Sequence, residues 1–131
     1  MTRIEVRTQR REQLLDVTAR VAEAVRDGGI REGWALVFCP HTTAGVTINE
    51  NADPDVVTDA LDALERIVPR AGAYRHVEGN SDGHVKASLV GSSVTVPIAE
   101  GELVLGTWQA VYFAEFDGPR QRNLLVTVLG G

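Results

Sequence analysis

The last third of the chain reads as one strand after another, and this run restricts the fold more than any other feature. Val94 and Val96 alternate with Thr95, Ala99-Glu100-Gly101 has the composition of a turn, and Glu102 to Leu105 returns. Trp108 to Phe116 follows as a long strand. Asp117-Gly118-Pro119-Arg120 turns the chain, and Asn123 to Leu129 closes the run as a strand expected to be buried on both faces. Ahead of this run the elements alternate in type. Ile4 to Thr8 reads as a strand, and Glu12 to Arg26 as a helix with Leu14, Val17, Val21 and Val25 on one face, stopped by Gly28-Gly29. Trp34 to Cys39 is short and almost wholly apolar, which predicts a strand covered on both faces. Val46-Thr47-Ile48 continues as strand. Asp53-Pro54 starts a second helix: the aspartate caps free backbone N–H groups, and proline at the first helical position has no N–H to lose. Its stripe is Val57, Leu61, Leu64 and Val68, ended by Pro69. Arg70 to Gly83 reads as a long loop, and His84 to Val90 as a short helix closed by Gly91. The expected fold is therefore α+β, a mainly antiparallel β-sandwich with two principal helices packed on one side.

At 131 residues the chain is expected to form a single domain, residues 1–131. A net charge of −5 argues against binding to a nucleic acid backbone, which needs clustered Lys and Arg. No apolar run approaches the ~20 residues that cross a bilayer, so no membrane partner is expected. The first residues lack the apolar stretch of a signal peptide. With Cys39 as the sole cysteine, the simplest expectation is a reducing compartment, the cytoplasm.

The chain has three histidines, each at a strand end or in a loop, where proteins place metal ligands and proton-transfer groups. His41 opens the polar stretch after Pro40, while His76 and His84 bracket a segment rich in oxygen ligands. Three imidazoles and a water would form a catalytic zinc site, although a single histidine can equally just hydrogen-bond its surroundings. A second cluster runs from Asn49 and Glu50 to Asp55, where oxygens suit Mg²⁺; capping alone accounts for Asp53, but local structure does not account for Glu50. A third is Asn80-Ser81-Asp82-Gly83-His84, in which Asp82 is placed to orient an imidazole or share a cation. In the fourth, Trp108 offers a stacking face and Arg120 and Arg122 offer forks for phosphate, against the plainer reading of a core tryptophan and of surface ion pairs with Glu115 or Asp117. Cys39, at the end of a buried strand, reads as an inert core thiol.

Taken jointly, His41-Thr42-Thr43-Ala44 through Ile48-Asn49-Glu50 and Asp53-Pro54, Tyr74-x-His76, Asn80-x-Asp82-x-His84, Leu105-Gly106-Thr107-Trp108-Gln109 and Glu115-x-Asp117-Gly118-Pro119-Arg120-x-Arg122 strongly resemble the YjbQ family, from Ile4 to Gly130. Its members are often named secondary thiamine-phosphate synthase enzymes. One departure is that Ser81 and Gly83 stand where the family usually has alanine, a change expected to affect loop flexibility only. The resemblance implies a homotrimer with pockets near subunit contacts, and a divalent metal, Zn²⁺ or Mg²⁺, on His41, His76 and His84. It implies a reaction that joins hydroxymethylpyrimidine diphosphate to thiazole phosphate and releases pyrophosphate. In that reading His41, His84, Glu50 and Asp82 are catalytic, and Asn49, Asn80, Trp108, Gln109 and Arg120 bind the phosphorylated substrate. Two other functions fit the same residues: a metal-dependent hydrolase of a phosphorylated or amide substrate, and a non-enzymatic trimer that binds a small ligand or metal.

Overall fold

Alternation sorts each strand into an inward and an outward face. In β1 (Thr2–Arg7) only Ile4 and Val6 are buried, and in β3 (Gly33–Phe38) only Ala35 and Val37. The computed structural model, which describes residues 1–131, has eight strands and three helices. The other strands are β2 (Gln13–Asp16), β4 (Ala44–Glu50), β5 (Ser93–Ala99), β6 (Glu102–Leu103), β7 (Gln109–Glu115) and β8 (Gln121–Gly130). They form a five-stranded sheet in the order β1-β8-β3-β5-β6 and a three-stranded sheet in the order β2-β7-β4, with every pairing antiparallel. The inward faces meet in one core, where Val37, Val96, Leu124 and Val126 of the larger sheet lie against Val46, Val111 and Phe113 of the smaller. This is the α+β sandwich expected from the sequence. Phe113 is fully buried, and truncating such a side chain to alanine costs about 3–5 kcal/mol.

Two helices lie on one side of the sandwich, against the outer face of the small sheet: α2 (Pro54–Ile67) and α3 (Ser81–Val90). Leu61 and Leu64 of α2 and Ala87 of α3 pack with Ala114 and Phe116. The remaining helix, α1 (Thr18–Gly28), instead enters the main core through Val21 and Ala24. Asp53 caps α2 as expected, its side chain accepting from the Asp55 N–H at 2.9 Å. No helix is long and apolar enough to cross a membrane.

Four local expectations are corrected. The segment read as the first turn of a helix is strand β2, with Leu14 opposite Ala114 and Leu15 opposite Phe113. Leu15 packs on the main core and Leu14 on the outer cluster, a period of two hidden inside an apparent period of 3.6. The Trp34–Cys39 strand is covered on one face only within the chain, because Trp34 and Phe38 point away from the sandwich at 37% and 39% exposure. In β8, likewise, Leu124 and Val126 are buried while Leu129 is 44% exposed. The long loop ends earlier than read, since α3 begins at Ser81. Gly83 is thus helical, and a Cβ there would sit 2.9 Å from the carbonyl oxygen of Phe116. Its lack of a side chain serves close packing of α3 on the strand end, not loop flexibility.

Candidate functional site

Residues that fold onto the start of α3, the β3–β4 turn and the β7–β8 turn share one end of the sandwich. His84 stands in the first turn of α3, and its ring lies 5.4 Å from that of His76, centroid to centroid, with the planes at 89°. The His76 Nε2 is 3.8 Å from the Glu78 carboxylate. Asn80, just before α3, donates from Nδ2 to Asp117 at 2.8 Å, and Arg120 donates to the same carboxylate oxygen at 2.9 Å. The Asn80 Oδ1 is buried with no partner. These groups surround an open, wholly polar cavity of about 380 Å³ whose walls include Thr42 and Arg120. The Arg120 side chain is half exposed, with Nε and Nη2 bonded to Asp117 and Nη1 making no hydrogen bond within the chain.

A second cavity of about 490 Å³ adjoins the first. Thr42 and His84 belong to both, and the second is otherwise lined by His41 and by small residues such as Ala44, Ser88 and Ser92. Gly45 allows the walls to come this close: a Cβ there would collide with the carbonyl oxygen of Gly91 at the end of α3. His41 is fixed in the turn, accepting the Asn123 N–H on Nε2 at 2.9 Å and meeting the edge of Phe113. Burial, and then the charge of Arg122, hold its pKa below the ordinary imidazole value. It is therefore a neutral ring with its proton on Nδ1 at neutral pH.

That geometry bears on metal binding. Within one chain, no three His, Cys, Asp or Glu side chains come together as a metal-holding group. Two of the three histidines meet, while the Nε2 lone pair of the third is taken up by a backbone N–H.

Beneath the cavities lie two buried ionic clusters, one read from the sequence only as a surface ion pair and the other not read at all. Arg122 donates to both oxygens of Glu115, through Nε at 2.8 Å and through Nη2, and also to Thr43 Oγ1 at 2.9 Å; Glu115 further accepts from Thr8 at 2.8 Å. The Arg122–Glu115 pair is thus internal, whereas Arg120–Asp117 is the surface pair the plainer reading expected. In the second cluster Asp82 accepts from both terminal nitrogens of Arg11 at 3.1 Å and from Lys86 Nζ at 3.0 Å. Lys86 also donates to Glu65 at 2.7 Å and has Glu12 at 3.0 Å. Asp82 and Lys86 are fully buried. Asp82 therefore ties α3 to its neighbours and lines neither cavity. Its i, i+4 spacing to Lys86 was the signal available in the sequence.

Asn49, Glu50, Trp108 and Gln109 lie elsewhere. Glu50 is six residues along β4 from Ala44, so it is displaced by ~20 Å toward the other end of the small sheet. There it pairs with Gln109. Trp108 is 62% exposed in the turn before β7. Cys39 is buried, and that burial pushes its thiol pKa up to about 11.

The YjbQ-like UPF0047 family model matches residues 2–131. The chain is 47% identical to UPF0047 protein MJ1081 of Methanocaldococcus jannaschii over 96% of its own length and 91% of the relative's. It is 46% identical to UPF0047 protein YugU of Bacillus subtilis over 97% of each chain. Among solved structures, an uncharacterised YjbQ/UPF0047 family protein of Clostridium acetobutylicum superposes with a TM-score of 0.97 at 52% identity, covering 98% of this chain and 100% of that one. A protein of unknown function from Sulfolobus solfataricus gives a TM-score of 0.95 at 33% identity, covering 99% and 96%.

Proposed function

The chain belongs to the YjbQ-like UPF0047 family, and on that premise we propose that it is a transferase of the thiamine-phosphate-synthase type, acting on a phosphorylated donor and a second substrate. The observation that carries this reading is the pair of adjoining cavities with His84 and Thr42 in their common wall. A hydrolase needs room for one substrate and a water, whereas a transferase must hold two organic partners with the reacting atoms in contact. The lobe with Arg120 and the paired histidines takes the diphosphate, with Asn80 holding Asp117 beside Arg120 and the Asp117 carboxylate already paired with that guanidinium. As the bond from carbon to the diphosphate breaks, negative charge grows on the leaving oxygens, and cationic and N–H donors aimed there lower the barrier. The lobe with His41, Ser88 and Ser92 takes the acceptor, and the Nδ1–H of the neutral His41 is a donor for it.

A divalent cation, where one takes part, would be held by His76 and His84 and would supply further charge neutralisation to the leaving group. His41 is reserved for positioning. Asp82 acts through α3, holding His84 in place. The same reading takes the protein as a cytoplasmic homotrimer whose subunits meet through the outward apolar face of β3 and β8, where Trp34, Phe38 and Leu129 are exposed.

The test is pyrophosphate release by purified protein given hydroxymethylpyrimidine diphosphate, thiazole phosphate and Mg²⁺ or Zn²⁺. The expected result is release that requires both substrates and falls at least tenfold in His84→Ala and Arg120→Ala. Release independent of the thiazole phosphate would identify a hydrolase, and equal rates in both variants would remove these residues from the site.

A further inference from the structure

Arg122 reaches the polar cavity from the interior of the sandwich. Its side chain is only 6% exposed. Nε and Nη2 donate to the two oxygens of Glu115, and Nη2 donates again to Thr43 Oγ1 at 2.9 Å. These bonds leave Nη1 with no partner in the chain. Among side chains that are not exposed, only Glu12 Oε2 and Asn80 Oδ1 are sealed from solvent without a hydrogen bond. The unbonded Nη1 of Arg122 is therefore not sealed, and the small exposed part of the side chain includes it. The space Arg122 borders is the polar cavity of about 380 Å³. A buried, immobilised guanidinium thus turns the two N–H groups of Nη1 toward that space.

The position is at the join of the two cavities. Thr43, which holds Nη2, follows Thr42 of the common wall. Asn123, the next residue after Arg122, holds His41 of the second cavity through its N–H. The neighbouring carboxylates are already engaged. Glu115 is fully buried, with one oxygen accepting from Thr8 and Arg122 and the other from Arg122 and the Asp117 N–H. Asp117 accepts from Asn80 and Arg120. Glu78, the remaining carboxylate of the lining, is 70% exposed, so water and salt screen it.

We propose that Arg122 is a phosphoryl-binding residue, its Nη1 donating to an oxygen of the diphosphate where the two cavities join, while Arg120 meets the same group from the rim. The proposal deepens the transferase reading and rests on it for the identity of the substrate. A guanidinium fixed beforehand loses little freedom when it binds, and its charge-assisted bonds are stronger away from water. Donors held in place before the reaction are also those that best stabilise charge growing on a leaving group.

The experiment titrates the full-length protein with pyrophosphate, free of divalent metal, by calorimetry and by ¹⁵N NMR of the arginine side chains. Pyrophosphate is expected to shift the Nη1 signal of Arg122 more than its Nε signal, which is already bonded to Glu115. Arg122→Lys keeps a charge for Glu115 but has no fork, and should bind about tenfold more weakly or worse. The double variant Glu115→Gln, Arg122→Met leaves no unpaired buried charge. It is expected to keep the parent's circular dichroism and to lose the same affinity, which covers a failure of Arg122→Lys to fold. Parental affinity in either folded variant, an unmoved Nη1 signal, or no pyrophosphate binding by the parent would each overturn the proposal. The two readings fail separately. Binding at Arg122 without transfer between the two substrates would support this site and remove the transferase; transfer at the parental KM in folded Arg122→Lys would do the reverse.

Discussion

Asp82 and Lys86 sit one turn apart on α3, both fully buried, with Oδ2 and Nζ 3.0 Å apart. Each also has partners outside the helix, Arg11 for Asp82 and Glu65 and Glu12 for Lys86, and removing either leaves buried charge on the others under-compensated. Asp82→Ala and Lys86→Ala are therefore each expected to destabilise the fold by about 3–5 kcal/mol, measured by urea denaturation at pH 7. Lys86→Met, which keeps the volume, leaves Asp82 with its Arg11 fork and should be the milder change. If Lys86→Ala denatures at the same urea concentration as the parent, the cluster adds nothing to stability.

The same cluster fixes the response to acid. Burial pushes the Asp82 carboxyl up, but the bonds from Arg11 and Lys86 outweigh it and bring the pKa below its ordinary value; the Lys86 bond does the same for Glu65. A depressed carboxyl contributes stability that is fully present above the unfolded pKa near 4 and is lost as pH falls through the folded value. Lys86 works in the opposite direction. Burial lowers its pKa, the carboxylates raise it further, and the net rise means that its contribution is lost only as pH climbs beyond 10.5. Denaturation midpoints taken from pH 3 to pH 7 should fall toward acid, and more shallowly in Lys86→Met. Parallel curves would place the acid-sensitive groups elsewhere.

His41 adds a second, milder pH dependence. Its folded pKa is depressed, so the unfolded chain takes up a proton first as pH drops. Stability from keeping the ring neutral is present above about pH 6.5 and declines below it. His41→Gln keeps an acceptor for the Asn123 N–H and has no charge to gain. The parent is expected to lose melting temperature between pH 7.5 and pH 5.5, and the variant to lose less. Imidazole ¹⁵N shifts should show Nε2 unprotonated at pH 7, and a protonated Nε2 would contradict the hydrogen bond to Asn123.

Cys39 gives a direct report on opening. Its Sγ is buried and its pKa is raised to about 11, first by burial. Thiolate is the reactive form. At pH 8 a thiol-specific disulfide reagent is expected to modify native protein only as fast as the chain opens, and to react at once in urea. Rapid native labelling would mean that the β3 end opens locally.

Much of this fold was legible because period and punctuation agree in most elements. Asp53-Pro54 marked α2 and Gly91 the end of α3, while the turn at Asp117 separated the last two strands. Leu14-Leu15 failed because two leucines on opposite faces of an edge strand also fit a helical stripe continued by Val17 and Val21, and only pairing with Ala114 and Phe113 decides between them. The site was legible by residue type and not by position. Of the three histidines expected to share one site, His76 and His84 meet, but Glu50 and Gln109 lie at the far end of the strands that carry them, a distance set by strand length that motif order does not encode. The burial of Glu115, read as part of a surface pair, was hidden for a related reason. Strand β7 is covered on both faces, so its buried charge breaks no alternation that a reader could notice.

Trp34 and Leu129 face each other across β3 and β8, as do Phe38 and Leu125, all on the side of the large sheet that turns away from the core. An apolar surface of this kind is uncommon on a soluble monomer. Because Phe38 is 39% exposed and lies outside the core, Phe38→Asp should leave the fold intact, with an unchanged circular dichroism spectrum. In the proposed trimer it would bury an unpaired charge at the contact in every subunit. Sedimentation velocity is expected to show a trimer for the parent and mainly monomer for Phe38→Asp, with Trp34→Ala intermediate. A trimeric Phe38→Asp would move the subunit contact to another face, and a monomeric parent would remove the trimer from the proposal altogether.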